Sequence, residues 1–237
     1  MSWRGALAGV FFAWPSALGG QPVPSTPASA PATSRAACEQ PAATVVPEAP
    51  FRLGNERLSG DWWGVRNRLA DCGIDVGVSL VTVYQHNARG GFETHNAHRI
   101  TGSADYDFIF DLDKLNIWPE GIVYLYAEST WGDDIGPETV GNLFGLNGDA
   151  VGDEAVLVRE AYYEQRFLDR KIRWRAGRLD LTAELDTNAY ADDENTQFLN
   201  PALVDGQNVP IPEYGFGTLV SVQPVDWFYT SLAAADA

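Results

Sequence analysis

Hydrophobic and polar positions alternate along most of the second half of this chain. The clearest stretch is residues 104–113, Ala-Asp-Tyr-Asp-Phe-Ile-Phe-Asp-Leu-Asp. Ala104, Tyr106, Phe108, Phe110 and Leu112 occupy one parity; Asp105, Asp107, Asp111 and Asp113 occupy the other, with Ile109 breaking the row. Side chains alternate faces along a strand, so this pattern predicts one apolar, aromatic face and one carboxylate face. A soluble sandwich places water on the polar side of such a strand, whereas a transmembrane barrel places lipid outside and a wet lumen inside.

The same period predicts further strands. Residues 73–85 alternate Ile74, Val76, Val78, Leu80 and Tyr84 against Asp75, Gly77, Ser79 and Gln85. Residues 121–131 set Val123, Leu125, Ala127 and Trp131 against Tyr124, Tyr126, Glu128 and Thr130. In residues 156–167 the preferred register sends Leu157, Ala161, Tyr163 and Phe167 outward and Glu160, Tyr162, Glu164 and Arg166 inward. Arg159 then lies on the wrong side unless a strand end or bulge turns it. Residues 171–179 put Ile172, Trp174 and Ala176 outward and Arg173, Arg175 and Gly177 inward. Residues 214–223 and 227–234 read as a hairpin turning at Pro224-Val-Asp. Several runs are long for a globular strand and suit a tilted crossing of a bilayer. Short connections (116–120, 168–170, 224–226) alternate with long ones (87–101, 132–155, 180–213), and aromatics fall near strand ends at Tyr84, Trp118, Trp131, Phe167 and Trp227. Short turns at one rim, long loops at the other and an aromatic girdle are the build of an outer-membrane barrel.

Ahead of the strands, Asp61 is a helix-start residue, Trp62, Val65, Leu69 and Cys72 recur at helical spacing, and Gly73 suits a left-handed stop. A short amphipathic helix is expected there. Residues 1–19 have the makeup of a signal peptide: Arg4, an apolar stretch over residues 6–14, then small residues at Ala17 and Gly19. Residues 20–52 are rich in Pro, Ala, Ser and Thr and read as a disordered linker. The ordered part is expected over residues 53–237.

The formal net charge of -16 argues against a nucleic-acid partner, which needs clustered Lys and Arg. An acidic lumen by itself would favour cations. No 18-residue apolar run is present, which excludes a transmembrane helix but not a barrel. Cys38 and Cys72 show neither metal-ligand nor Cys-x-x-Cys spacing. A disulfide would form in an oxidising compartment, but the favoured reading is two unpaired thiols. His86, His95 and His98 lack an accompanying carboxylate arrangement and are read as non-ligating. The acidic loop 145–154 lacks calcium-loop spacing and reads as solvated. The adjacent pairs Asp133-Asp134 and Asp192-Asp193 do not provide the separation of a glycosidase, and no Ser/His/Asp set is present. The chain is thus read as a non-enzyme with no cofactor and no metal. Residues 192–200 are either a loop folded into the lumen or a surface loop.

Leu58-Ser-Gly-Asp-Trp-Trp-Gly-Val-Arg-Asn-Arg-Leu-Ala-Asp-Cys-Gly-Ile resembles the opening signature of the carbohydrate-selective porin family (OprB-like). Further echoes follow in order: Gly90-Gly91, Asp111-Leu-Asp-Lys-Leu115, Trp118-Pro-Glu-Gly121, Val140-Gly-Asn-Leu143, Glu160-Ala-Tyr-Tyr-Glu-Gln165, Arg175-Ala-Gly-Arg-Leu179 and Phe198-Leu-Asn200. The resemblance implies a transmembrane antiparallel β-barrel, sixteen-stranded in the family, in the Gram-negative outer membrane, passing sugars by passive diffusion. It leaves open a homotrimer or a monomer. Arg178 stands where relatives commonly carry an uncharged polar residue. About seven strands are legible here, and the end lacks the terminal aromatic of such barrels, so the expected identity is the N-terminal part of a longer porin. The candidate solute-lining residues are Asp105, Asp107, Asp111, Tyr124, Tyr126, Glu160, Glu164, Arg173 and Arg175. Carboxylates and guanidinium groups hold hydroxyl-rich ligands, and aromatic faces stack on sugar rings. Arg173 and Arg175 are expected to face Glu160 and Glu164 across adjacent strands. The alternative is a secreted soluble β-domain that binds carbohydrate.

Overall fold

The structure, a computed structural model, describes residues 7–11, 59–186, 190–191, 193–195, 197–204 and 214–236. The expected linker (20–52) and Cys38 lie outside the described residues. Alternation of apolar and polar positions produces one antiparallel sheet. Its strands are β1 (Leu7–Phe11), β2 (Ile74–His86), β3 (His98–Asp111), β4 (Gly121–Trp131), β5 (Glu154–Phe167), β6 (Ile172–Asp180), β7 (Tyr214–Val225) and β8 (Phe228–Ala235). The order is β1-β8-β7-β6-β5-β4-β3-β2, so β2 to β8 follow one another as neighbours in sequence order. All pairings are antiparallel. The sheet does not close on itself among the described residues. β1, drawn from the expected leader, pairs along the outer edge of β8. An unpaired edge presents a row of free amides and carbonyls, and an apolar segment able to extend satisfies them.

The registers place Val76, Phe108, Leu125, Ala161 and Arg178 on one face, and Gly77, Asp107, Tyr126 and Glu160 on the other. The apolar face is left open over its width, with Leu80 71% and Phe216 67% exposed, and Val78, Ile100 and Leu232 also exposed. Aromatics sit at both rims: Tyr84 and Trp131 toward the long loops, Trp118, Phe167 and Trp227 toward the short turns.

Three expectations are corrected here. The helix α1 spans Val65–Cys72 only, with Gly64 as N-cap and no side-chain cap, so Asp61 does not start it. Trp62 and Trp63 adopt left-handed φ values of 53° and 58°, and the Arg66 guanidinium lies 4.6 Å over the Trp62 ring. That cation–π contact fixes the approach to the helix in place of an Asp cap. Arg66, not Val65, is the buried helix residue, and it donates to Val76 O at 3.0 Å. The helix stops as expected at Gly73 (φ 98°), and Lys114 Nζ donates to Ala70 O at 3.2 Å. Second, the register shifts between Tyr126 and Ala127, so that Val158 rather than Arg159 lies opposite Ala127 and Leu157, expected outward, lies opposite Glu128. This bulge at Arg159 lets its side chain reach Glu128 on the polar face, at 2.8 Å. Third, Cys72 is disulfide-bonded rather than a free thiol, as suits an oxidising compartment.

The polar face is covered in part. Leu179, Leu181, Leu219, Ala233 and Ala235 form a buried cluster joined by Tyr162 and Leu185. The chain leaving β6 makes a helical turn, Thr182–Leu185, which lies on small and apolar residues of β6 to β8. Burying Leu219 completely contributes about 2 kcal/mol.

Candidate functional site

Antiparallel pairing stacks the polar parity of β2 to β6 into rows, and each row brings hydroxyls or cations to carboxylates. On β3 and β4, Asp107 pairs opposite Tyr126 and Asp105 opposite Glu128. Tyr124 Oη donates to Asp107 Oδ1 at 2.6 Å, Tyr126 Oη to Asp105 Oδ1 at 3.2 Å, and Ser79 Oγ to Asp105 Oδ2 at 2.6 Å. The tyrosine rings therefore lean along the face rather than away from it.

On β5 and β6, Glu164 pairs opposite Arg175 and is 2% exposed. Its two oxygens accept from Arg175 Nε and Arg166 Nε, each at 2.6 Å. A carboxylate removed from water in this way needs both partners, since an uncompensated buried charge is costly. The Arg175 guanidinium also lies 4.9 Å from the Tyr162 ring centroid, and Tyr162 lies 5.1 Å from Tyr124. Asp107, Tyr124, Tyr162, Arg175 and Glu164 thus form one continuous ladder across β3 to β6. It offers ring faces flanked by groups that donate and accept hydrogen bonds, the chemistry that suits a hydroxylated solute.

Of the residues expected to line the site, Asp105, Asp107, Tyr124, Tyr126, Glu164 and Arg175 come together in these rows. Arg173 does not meet Glu160: it lies opposite Arg166, near the short-turn rim. Glu160 instead accepts from the Asp180 backbone N–H at 3.2 Å. Asp111 Oδ1 accepts from the Asp113 and Lys114 amides, each at 3.1 Å, so it shapes a turn. Tyr162 and Arg166 were missed as site residues, although their inward parity was readable. Arg178 lies opposite Ala161 and Phe216 on the apolar face, and its Nη1 donates to Val158 O at 2.6 Å.

The acidic loop expected to be solvated is so only in part: Val151 and Asp153 are exposed, but its first half is not. Asn147 and Asp149 are buried; Asn147 Nδ2 donates to Thr101 Oγ1 at 2.6 Å and Asn147 Oδ1 accepts from the Asp149 amide at 3.0 Å. Gly148 N donates to Leu199 O at 2.9 Å, which joins this loop to the segment at Leu199. Burial, then the charges of Glu194, Asp105, Glu128 and Asp193, push the Asp149 carboxyl up to about 6. The Asn147–Thr101 bond sets the 145–150 loop against β3, and the Gly148–Leu199 bond ties Leu199 to that loop. Nothing in the spacing announced this, because the partners of Asn147 and Asp149 are distant in sequence. His86 Nδ1 is within 3.0 Å of Ala97 O, and the described residues hold no cluster of His, Cys, Asp or Glu arranged for a metal.

A profile described as carbohydrate-selective porin, OprB family, matches residues 95–236. The chain is similar to the high-pH structure of Pseudomonas putida OprB, with a TM-score of 0.63 and 19% identity, over 75% of this chain and 44% of that one. The low-pH structure of the same protein matches with a TM-score of 0.47 and 16% identity, over 76% of this chain and 50% of that one. An uncharacterised protein of Aquifex aeolicus is 45% identical over 47 residues, 20% of this chain and 15% of that protein. The chain thus spans less than half the length of the first solved structure it matches.

Proposed function

Because this chain belongs to the carbohydrate-selective porin family of OprB, we propose that it forms part of the wall of an outer-membrane pore through which sugars pass by passive diffusion. The observation that carries this reading is the ladder on the polar face, from Asp107 and Tyr124 through Tyr162 to Arg175 and Glu164. It gives a sugar aromatic faces to slide along and fixed polar groups to exchange hydrogen bonds with. Asp105, Asp107, Tyr124, Tyr126, Glu160, Glu164, Arg173 and Arg175 line the lumen in this reading, while Asp111 acts at the rim. No step makes or breaks a covalent bond.

The open apolar face supports a bilayer setting. A contiguous apolar surface of that width on a soluble protein would be an aggregation site, so a secreted carbohydrate-binding domain does not account for it. With short turns at the periplasmic rim, the long loops face outward, and residues 145–150, with 193–195 and 197–199, narrow the external mouth. Residues 1–19 act as an export leader, and their removal takes β1 off the edge of β8. N-terminal sequencing of the exported protein should find a start after Gly19; a mature protein beginning at Met1 would refute that assignment.

Vesicles containing the full-length protein should take up monosaccharides faster than protein-free vesicles. Equal rates in a preparation that retains its β-sheet signal would overturn the channel reading.

A further inference from the structure

On the apolar face, at the short-turn rim, the 118–120 turn, β5 and β6 frame a cleft of about 570 Å³. Trp118, Tyr163, Phe167 and Trp174 supply its walls, with Pro119, Glu120, Gln165 and Arg166 completing them. It sits in the interior of the sheet, away from both edges. Its polar atoms are turned into one another. Trp118 Nε1 donates to Gln165 Oε1 at 2.8 Å, and the Tyr163 hydroxyl donates to the same oxygen. Gln165 Nε2 donates to Pro119 O and Arg166 O, each at 3.0 Å. Trp174 Nε1 donates to Thr218 Oγ1 at 2.7 Å, and Arg166 is paired with Glu164. The amide of Gln165 has both donors and its oxygen engaged, so the aromatic walls present ring faces and no free indole N–H or phenol. A sugar would find no such partner in them. The Tyr163 and Trp174 rings meet edge to face at 6.2 Å, which holds the groove open as a shaped wall.

We propose that this cleft is a phospholipid site in the periplasmic leaflet, holding one acyl chain of a zwitterionic diacyl lipid. The chemistry of the rim selects the headgroup. Glu120 lines the cleft, and the turn directly after Phe167 carries Asp169, Arg170 and Lys171. Both signs are present in balance, which matches an ammonium joined to a phosphate and disfavours a purely anionic lipid. The cleft lies where an aromatic girdle meets the headgroup region. The Trp118-Pro119-Glu120 segment, which has no part in the lumen, then has a ligand.

The inference rests on the apolar face being lipid-facing, and the test separates the two. The full-length protein is extracted from envelope membranes in mild detergent and examined by native mass spectrometry. In parallel, envelopes are labelled with a phosphatidylethanolamine carrying a photoactivatable acyl chain. One retained phosphatidylethanolamine is expected, with labelling concentrated on peptides of Trp118, Tyr163 and Trp174. Trp174→Ala should lower retention roughly ten-fold, and Trp174→Phe should restore it by returning a ring face. Trp118→Ala, at a side chain 57% exposed, should lower retention without disturbing the sheet. Even labelling of the apolar row with no retained lipid would overturn the site and leave the porin reading standing. Retention of phosphatidylglycerol alone would overturn the headgroup assignment. No labelling anywhere on the apolar row would overturn both.

Discussion

Replacing Asp149 with asparagine should free the 145–150 loop from pH. Asp149 is 5% exposed, and its Oδ2 has no hydrogen-bond partner among the described residues. Burial first, then Glu194, Asp105, Glu128 and Asp193, raise its carboxyl from 3.8 to about 6. The folded loop therefore prefers the protonated acid more than the open loop does. Its contribution is complete below about pH 4, where both forms are protonated. It fades as pH rises through 6. A shift of roughly two pH units corresponds to about 3 kcal/mol, or about a hundred-fold in the local opening equilibrium. Hydrogen exchange at Gly148, whose amide donates to Leu199 O, reads that equilibrium once intrinsic rates are divided out. The native protein should lose about a hundred-fold in protection between pH 4 and 8, and Asp149→Asn should lose less than about three-fold over the same range. Equal pH profiles for the two proteins would refute the argument, because the titrating group would then lie elsewhere.

Glu164→Gln keeps shape but leaves Arg166 and Arg175 without their shared carboxylate; it should lower stability by about 3–5 kcal/mol in denaturant titrations of the detergent-solubilised protein. Tyr162→Leu removes the ring that touches both Tyr124 and Arg175. Vesicle assays should show sugar uptake falling about five-fold, with salt conductance changing by less than about two-fold. Gly177 has φ 143°, and a Cβ there would stand 2.3 Å from Ala161 O. Gly177→Ala should therefore cost roughly 2 kcal/mol or more through strain at the β5–β6 pairing, seen as a lowered yield of folded protein.

Period-two alternation made the strands legible, and the face each side chain takes followed from it. All seven strands from β2 to β8 appear and β4 matches its expected bounds, but β3 begins at His98, six residues before the expected start, and takes in the end of the expected 87–101 loop. Local rules failed where a distant partner decided the outcome. Val156-Leu-Val158 carries no alternation, so the register there was set by the bulge that delivers Arg159 to Glu128, thirty-one residues away. Asp61 has the side chain of a good helix cap, yet the Trp62–Arg66 contact and two left-handed tryptophans delayed the helix to Val65. The loop at Asn147 and Asp149 has the composition of a solvated segment. Its burial depends on Thr101, forty-six residues away, a contact that composition does not encode.

The charge of the lumen face is also less uniform than the net charge of -16 suggests. Asp105, Asp107 and Glu128 lie on β3 and β4, where tyrosine and serine hydroxyls donate to the aspartates without neutralising them. Arg166, Arg173 and Arg175 lie on β5 and β6 beside Glu160 and Glu164, and Glu164 is shared by Arg166 and Arg175. An acidic stripe therefore faces along one that carries the arginines, with Tyr124 and Tyr162 in contact between them. A cation attracted by the first is repelled by the second, so the two stripes together weaken ionic preference. A neutral solute rich in hydroxyls meets acceptors on one side, donors on the other and ring faces between. In the proposed pore, preference for sugar on this wall would follow from setting the arginines apart from the aspartates rather than from the net charge.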